Sequence, residues 1–231
     1  MKTILRLTGD QHLQLRNHLF PEDGNEAAAI LLCGRRAGSE RHCLTGRMIF
    51  PVPYDQCSIR TPWRITWSTD VLLPVLTEAA KKNLAIIKIH SHPGRLEEFS
   101  ETDDQSDRDL FDSVYGWFDD EAPHASAIML PDGRIFGRTV SANGEFSSLS
   151  SVSVVGDELQ CFEFHENQTE LPNYTLRHRQ IFGALTTSLL RRLTIAVIGV
   201  SGTGSPLVEQ LTRLGVGKLV IVDPDSIEEK N

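Results

Sequence analysis

Two histidines, His90 and His92, stand one residue apart at the end of an isoleucine-rich run that Pro93 closes. The run over 84–92 is typical of a β-strand, and alternate residues of a strand project from the same face. We therefore expect the two imidazoles to point toward one place. Catalytic zinc is commonly held by three protein ligands, with a further position left for water, so a third ligand is needed nearby.

Ser100 and Asp103 form a Ser-x-x-Asp pattern, which predicts the start of a helix with Ser100 as its N-cap. If the loop over 93–99 folds back, Asp103 in the first helical turn reaches the same metal. Taken alone, a His-x-His pair is more often two surface histidines, and a Ser-x-x-Asp pattern is more often a simple cap. Their combination after an apolar strand, with Glu26 at the head of another apolar run, favours a metal site.

This pattern resembles the JAMM motif, also called JAB or MPN+, of deubiquitinase-type metallopeptidases. The positions that match it are Glu26, His90, His92, Pro93, Ser100 and Asp103. The length of the loop between the proline and the serine also matches. The resemblance covers about residues 1–150 and implies the α+β fold of that family, with a mixed α/β sheet like that of cytidine deaminase.

The resemblance also implies a role for each matching residue. His90, His92 and Asp103 would hold Zn²⁺, which lowers the pKa of its bound water from about 15.7 toward 7. Glu26 would accept the proton of that water and later pass it to the leaving amine. Ser100 would donate a hydrogen bond to the oxyanion. Capping is a rival role for Ser100, and the two roles can coexist.

A second motif is the glycine-rich turn that contains Gly199, Gly202 and Gly204, placed between a predicted strand and a predicted helix. Such a turn directs backbone N–H groups at a phosphate, and the helix dipole favours the negative charge. Asp223 ends the next predicted strand, where an acid can bond a ribose hydroxyl. The alternative is a tight strand–helix turn that binds nothing.

The region around this turn resembles the ThiF/MoeB and ubiquitin-activating-enzyme family, which adenylates the C-terminal glycine of ubiquitin-like proteins with ATP and Mg²⁺. The segments that carry the resemblance are Arg179-Gln180, Phe182-Gly183, the glycine turn, Leu214-Gly215-Val216-Gly217, Asp223-Pro224-Asp225 and Glu228-Glu229-Lys230-Asn231. The residues that would contact ATP are Gly199, Gly202, Gly204, Asp223 and Asp225. Ser201 departs from the glycine that the family usually has there. The rest of the family's site would lie past Asn231, so we expect an incomplete adenylation domain that does not adenylate by itself.

The elements that must position these residues mix helices and strands without regular alternation, which predicts an α+β class followed by the first βαβ unit of a Rossmann-like fold. Predicted helices span 9–20, 68–83, 100–118, 174–192 and 203–214. Predicted strands span 26–34, 44–51, 64–67, 84–92, 126–130, 134–138, 193–200 and 218–223. The expected domains are a JAMM domain over 1–150, a polar, serine-rich linker over 151–173, and the start of the adenylation domain over 174–231.

Composition excludes several classes of function. The chain has 231 residues and a formal net charge of −8, which argues against nucleic acid as the main partner. It contains no apolar run long enough to span a membrane and no signal-peptide pattern, so we expect a cytoplasmic protein with reduced, mostly buried cysteines. The other histidines, which lack ligand-like spacing, are expected at the surface: His12, His18, His42, His124, His165 and His178.

The leading hypothesis is a JAMM-type peptidase fused to an adenylating domain, as in a bacterial ubiquitin-like conjugation pathway. Its partners would be the C-terminal tail of a ubiquitin-like protein and conjugating-enzyme-like proteins. One alternative is a metal-free JAMM-like scaffold that presents a ubiquitin-like protein to the adenylating half. Another is a dinucleotide enzyme built on the glycine turn, which NAD binding would distinguish from an ATP-dependent one.

Overall fold

The computed structural model describes residues 2–163 and 176–225, and the chain divides into two compact units, Met1–Glu166 and Asn167–Asn231. The first unit is built on a curled, mixed sheet of nine strands. Its helices are α1 (Gly9–Leu19), α2 (Leu73–Lys82) and α3 (Glu101–Tyr115). Its strands are β1 (Lys2–Thr8), β2 (Ala28–Ala37), β3 (Arg41–Pro51), β4 (Cys57–Thr61), β5 (Arg64–Trp67), β6 (Ala85–Ser91), β7 (His124–Met129), β8 (Ile135–Val140), β9 (Phe146–Ser148), β10 (Ser151–Val155) and β11 (Leu159–Glu163). The predicted α+β class is therefore confirmed.

Strand order in the large sheet is β11-β10-β1-β3-β2-β6-β7-β8-β9, and β4 and β5 form a separate hairpin. The sheet has a hydrophobic core on each face, because the apolar residues of β2 alternate between them. Leu31 packs in the core that includes Leu15 of α1, while Ile30 packs with Leu76 of α2 and Phe111 of α3. The central strands β2 and β6 are thus covered on both sides, which explains their nearly continuous apolar sequences.

The helix predicted over 68–83 begins later than expected. Residues Thr69–Leu72 form a 3₁₀ turn, and the α-helix starts at Leu73 with Pro74 in its first turn. Proline lacks an N–H group and fixes its own φ, so it is accommodated at the start of an α-helix and not further along. Helix α2 ends at Lys82, and Asn83 caps it in a left-handed conformation with φ of 49°.

The linker expected over 151–173 is wrong in its first part, because β10 and β11 lie in the sheet of the first unit. The segment Ser151–Val155 alternates serine with valine, the pattern of a half-buried strand. Val152 and Val154 are buried in the core, and β10 pairs in parallel with β1. Residues 164–173, the remainder of the predicted linker, lie outside the described residues.

The second unit contains helix α4 (Leu176–Arg192), strand β12 (Thr194–Ile198), helix α5 (Gly204–Leu214) and strand β13 (Lys218–Val222). The strands β12 and β13 pair in parallel, so β12, α5 and β13 form the predicted βαβ unit. Helix α5 ends at Leu214, and the capping residue Gly215 has a φ of 91°, which requires a residue that tolerates the left-handed region.

Two expectations about buried side chains were partly wrong. Cys33 and Cys43 are buried as expected, but Cys57 is half-buried and Cys161 exposed, all four thiols being unpaired. His124 is fully buried, because its ring accepts a hydrogen bond from the backbone N–H of Ile86 at 2.9 Å and packs among aromatic rings. His42 is also buried. Among the described residues, no helix is both long and apolar enough to cross a membrane.

Candidate functional site

The two histidines of the His-x-His pair converge as the spacing predicted. His90 lies in β6 on the face covered by α3, and His92 continues past the strand end, where its backbone N–H donates to the carbonyl of Met129 at 3.1 Å. Their Nε2 atoms are 3.1 Å apart. Both rings are almost fully buried, so a ligand that binds both nitrogens is shielded from bulk water.

Asp103 completes the group from the first turn of α3. Its Oδ1 lies 3.2 Å from Nε2 of His90, and its Oδ2 lies 3.8 Å from Nε2 of His92. The three side chains offer ligand atoms that all lie within 4.8 Å of one another. Two imidazoles and one carboxylate are the donor set of several catalytic zinc sites, so these residues fit a zinc ion that keeps an open position.

The protonation of these groups also suits a cation. Burial lowers the pKa of His90, although its hydrogen bond with Asp103 opposes this effect, so the ring is neutral at neutral pH. The Nδ1 of His92 lies 2.9 Å from the carbonyl oxygen of Leu96. Because a carbonyl can only accept, Nδ1 carries the proton and Nε2 keeps its lone pair for a metal.

Ser100 caps α3 and at the same time holds Asp103. Its backbone N–H and its hydroxyl donate to Oδ2 of Asp103 at 2.8 Å and 2.7 Å, and the N–H of Asp103 donates back to the hydroxyl oxygen at 3.2 Å. Burial by itself would raise the pKa of Asp103, but the bonds with His90 and Ser100 outweigh it and lower that pKa. Asp103 is therefore an ionised carboxylate in a fixed orientation.

Glu26 lies just before β2, and its carboxyl group lines the same cleft as the three candidate ligands. The side chain is only 6% exposed. Burial first, and the charge of Asp103 second, raise the pKa of Glu26 to about 7, while the ammonium of Lys88 opposes the shift. A carboxyl with a pKa near neutrality can both accept and return a proton at physiological pH.

Backbone bonds from both sides hold Glu26 in place. Its own N–H donates to the carbonyl of Thr61 at 2.9 Å, which ties it to β4. The neighbouring Ala27 donates its N–H to the hydroxyl of Ser91 at 2.9 Å and accepts from the N–H of Ser91 at 3.0 Å. Sequence reasoning assigned no role to Ser91; its side chain holds the chain at Glu26 beside β6.

The cleft has a volume of about 310 Å³ and includes residues that the sequence did not single out. One wall comes from the β4–β5 hairpin, which contributes Trp63 and Trp67. Trp63 is 79% exposed and stands over Gly94, where an added Cβ would lie 3.3 Å from its ring. Lys88 contributes a buried ammonium to the floor. The hairpin contacts join residues distant in sequence, and no local pattern signals them.

In the second unit, the glycine turn follows β12 and leads into α5, as predicted. Gly199 has a φ of 84°, and its N–H donates to the carbonyl of Val222 at 2.8 Å. A Cβ on Gly204 would lie 1.8 Å from the carbonyl oxygen of Gly199, so only glycine fits there. A Cβ on Gly202 would meet nothing within 4 Å, which leaves open space beside that part of the turn.

Asp223 reaches this turn from the end of β13, and both of its carboxylate oxygens accept backbone bonds. Oδ2 accepts from the N–H of Val200, and Oδ1 accepts from the N–H of Asp225 at 2.9 Å. Its carboxylate thus holds the glycine turn to the second strand. The structure places Asp225 two residues further on with an exposed side chain, and residues 228–231 lie outside the described residues.

Comparison with known proteins separates the same two regions. Residues 10–140 match the prokaryotic homologues of the JAB domain, and residues 175–231 match the ThiF family. The solution structure of a protein from Desulfitobacterium hafniense aligns with a TM-score of 0.42 and 19% identity, over 67% of this chain and 93% of that one.

Curated relatives match the ThiF-like part. Over 42 residues the chain is 50% identical to ubiquitin-like modifier-activating enzyme 5 of Caenorhabditis elegans and of Bombyx mori, and 48% identical to that of Gallus gallus. Each match covers 18% of this chain and 10 or 11% of the relative, so the chain spans about a tenth of the length of these relatives. The JAB match covers more than half of the chain and includes Glu26, Ser100 and the three candidate ligands. The chain therefore belongs to the prokaryotic homologues of the JAB domain, joined here to a segment similar to the ThiF family.

Proposed function

We propose that the first unit is a zinc-dependent peptidase or isopeptidase that hydrolyses the bond at the C-terminal glycine of a ubiquitin-like protein. The convergence of His90, His92 and Asp103 with Glu26 in one cleft carries this proposal. When bound, zinc supplies a water of lowered pKa and polarises a carbonyl oxygen. His90, His92 and Asp103 would hold the ion in a pocket that excludes most solvent.

Glu26 and Ser100 would handle the protons and the developing charge. Glu26, whose pKa is about 7 in the zinc-free chain, would accept a proton from the attacking water and return it to the amine that leaves. The Ser100 hydroxyl donates to Asp103 at 2.7 Å. Stabilising an oxyanion requires this hydroxyl to redirect its proton from Asp103 to the substrate oxygen. Capping uses the hydroxyl oxygen as an acceptor and catalysis would use its O–H as a donor, so the two roles are compatible.

The shape of the cleft supports an extended peptide as substrate. The β4–β5 hairpin borders the cleft, and its two strands pair only with each other within the described part of the chain. A strand edge of this kind can receive an extended tail through backbone hydrogen bonds. The exposed Trp63 beside Gly94 offers an apolar surface close to the proposed metal.

The ThiF-like segment supports a ubiquitin-like protein as the partner. In an adenylation domain of the ThiF type, the turn containing Gly199, Gly202 and Gly204, with Asp223 and Asp225, would bind ATP together with Mg²⁺. The exposed helix start beside this turn favours an anionic ligand. We place the protein in the cytoplasm, in a ubiquitin-like conjugation pathway with conjugating-enzyme-like partners, where both units would act on the same C-terminal glycine.

The proposal is tested by incubating the chain with ubiquitin-like proteins that carry C-terminal extensions, with and without a chelator, and locating cuts by mass spectrometry. We expect chelator-sensitive cleavage directly after the terminal glycine, restored by zinc. Asp103→Asn should lose both zinc and cleavage, whereas Asp109→Asn, an exposed acid on the same helix, should keep both. A wild-type chain that binds no zinc and cuts nothing contradicts the peptidase and leaves the metal-free scaffold.

A further inference from the structure

Two cations and a small residue lie side by side across three strands next to the proposed metal site. Lys88 of β6 pairs in register with Ser126 of β7, and Ser126 pairs with Arg138 of β8. In-register residues of neighbouring strands share a face of the sheet. The small side chain of Ser126 therefore leaves a depression between the longer side chains of Lys88 and Arg138.

Asp107 of α3 fills this depression, and its side chain is completely buried. Its Oδ1 lies 2.5 Å from Nζ of Lys88, and its Oδ2 lies 2.7 Å from Nη2 of Arg138. Lys88 is itself only 5% exposed and also donates to the hydroxyl of Ser106 at 3.3 Å. A buried carboxylate held by two buried cations fixes its position strongly, because moving it leaves charges unpaired.

The ion pair of Lys88 and Asp107 joins the same strand and helix as the contact between His90 and Asp103. Lys88 precedes His90 by two residues in β6, and Asp107 follows Asp103 by four residues in α3. Residues two apart in a strand and four apart in a helix share a face. Strand β6 and helix α3 therefore make two neighbouring contacts, one between Lys88 and Asp107 and one between His90 and Asp103.

Arg138 of β8 strengthens the contact between Lys88 and Asp107. The guanidinium of Arg138 lies between two aromatic rings, 3.8 Å from the ring centre of Phe99 and 3.7 Å from that of Phe146. Its Nη1 also lies 2.5 Å from Oδ1 of Asp104. Arg138 thus contacts α3 at two carboxylates and the loop residue directly before Ser100, so the start of the helix is fixed to β8.

We propose that Lys88 and Asp107 are positioning residues that set α3 against β6, so that Asp103 stands at ligand distance from the two histidines before any metal arrives. The inference rests on the proposed zinc site and explains what holds its ligands in position. In this reading the zinc affinity of the chain depends on an ion pair that does not touch the ion.

Charge alone predicts the opposite effect for one substitution. The positive charge of Lys88 is close enough to add to burial in lowering the pKa of His90. Removing it by Lys88→Met would leave a negative net charge near the site and should tighten zinc binding through Coulomb attraction. If Lys88 positions the helix, the same substitution weakens zinc binding. The sign of the change separates the two explanations.

A second substitution removes no charge. Asp107→Glu keeps the carboxylate but lengthens the side chain, so α3 must shift if both ion pairs are kept. This variant also carries the test if Lys88→Met does not fold. The matched control is Lys82→Met, which removes an exposed lysine of α2 that pairs with Glu78 at 2.5 Å and does not line the cleft.

The experiment measures zinc affinity by competition with a chromophoric chelator, the visible spectrum of the cobalt-substituted protein, and the thermal midpoint of each variant. We expect Lys88→Met and Asp107→Glu each to weaken zinc binding about 10- to 100-fold, with an altered cobalt spectrum. Lys82→Met should match the wild type.

Four results overturn the inference. Zinc binding as tight as or tighter than wild type in Lys88→Met excludes positioning, and so does unchanged affinity in Asp107→Glu. If only the thermal midpoints fall while the affinities and the spectra stay unchanged, the ion pair is purely structural and the proposed zinc site stands. A wild-type chain without zinc affinity removes both the inference and the proposed function.

Discussion

Glu26→Gln should stabilise the zinc-free protein, and increasingly so as the pH rises. Burial and the charge of Asp103 raise the pKa of Glu26 from an ordinary 4.5 to about 7 in the folded chain. Between these two values the folded state binds the proton more tightly than the unfolded state, so the free energy of unfolding falls as the pH rises. Glutamine resembles the protonated acid, so the variant does not have the free-energy cost of a buried, ionised carboxylate.

The magnitude follows from the difference between the folded and unfolded pKa values. Each unit of difference between the two pKa values corresponds to about 1.4 kcal/mol in the free energy of unfolding. At pH 8, where the glutamate is ionised in both states, the wild type should be less stable than Glu26→Gln by about 3 kcal/mol. At pH 5, where the folded group is protonated, the gap should shrink to about 1 kcal/mol or less.

Urea unfolding in the presence of a chelator measures this gap at pH 5, 6.5 and 8. The three tryptophans, Trp63, Trp67 and Trp117, all lie in the first unit, so their fluorescence reports the unit that contains Glu26. Glu22→Gln, the same change at an exposed glutamate of this unit, is the matched control. A gap that stays constant, or a variant less stable than wild type at pH 8, would refute the reasoning about burial.

Three further predictions concern activity and the second unit. Glu26→Ala should keep zinc and abolish cleavage, while Asp103→Ala should lose both, as metal content and turnover would show; full activity in either variant contradicts the assigned roles. Trp63→Ala should raise KM for an extended tail by about tenfold, the equivalent of about 1.4 kcal/mol, with little change in kcat, because the ring lies at the mouth of the cleft. Gly204→Ala should destabilise the turn by about 1–3 kcal/mol, since its Cβ would lie 1.8 Å from the carbonyl oxygen of Gly199, whereas Gly202→Ala should fold normally. Hydrogen exchange of β12 and α5 would measure both glycine variants, and equal protection in the two would count against the close approach.

The candidate ligands could be predicted from the sequence because their geometry is mostly local. The spacing of His90 and His92 follows from strand periodicity, and a helix cap places Asp103 within a short loop of them. The role of Glu26 was reached only by resemblance, because its approach to β6 depends on the antiparallel pairing of β2 with β6, in which Ala28 lies opposite His90, 62 residues later in the chain. Sequence patterns carry no direct information about such pairing.

The rest of the site escaped prediction for the same physical reason. The pairing of Asp107 with Lys88 and Arg138 joins three separate elements. From the sequence alone, each of these residues is expected to be an ordinary charged side chain at the surface. The strands β10 and β11 were missed because serine and polar residues dominate that stretch. Only the valine alternation reveals β10, and its partner β1 lies at the other end of the unit.

Burial at Glu26 has two opposite consequences, and both follow from the same carboxyl group. Removing water from Glu26 and placing Asp103 nearby raises its pKa into the range where a base can act at neutral pH. The same environment costs folding free energy whenever the group is ionised. A bound cation would offset that cost, because it attracts both carboxylates, and it would bind more strongly where both are ionised. The repulsion between the carboxylates of Glu26 and Asp103 therefore favours binding of the metal. In the proposed arrangement, the buried ion pair of Lys88 and Asp107 holds α3 in place against this repulsion.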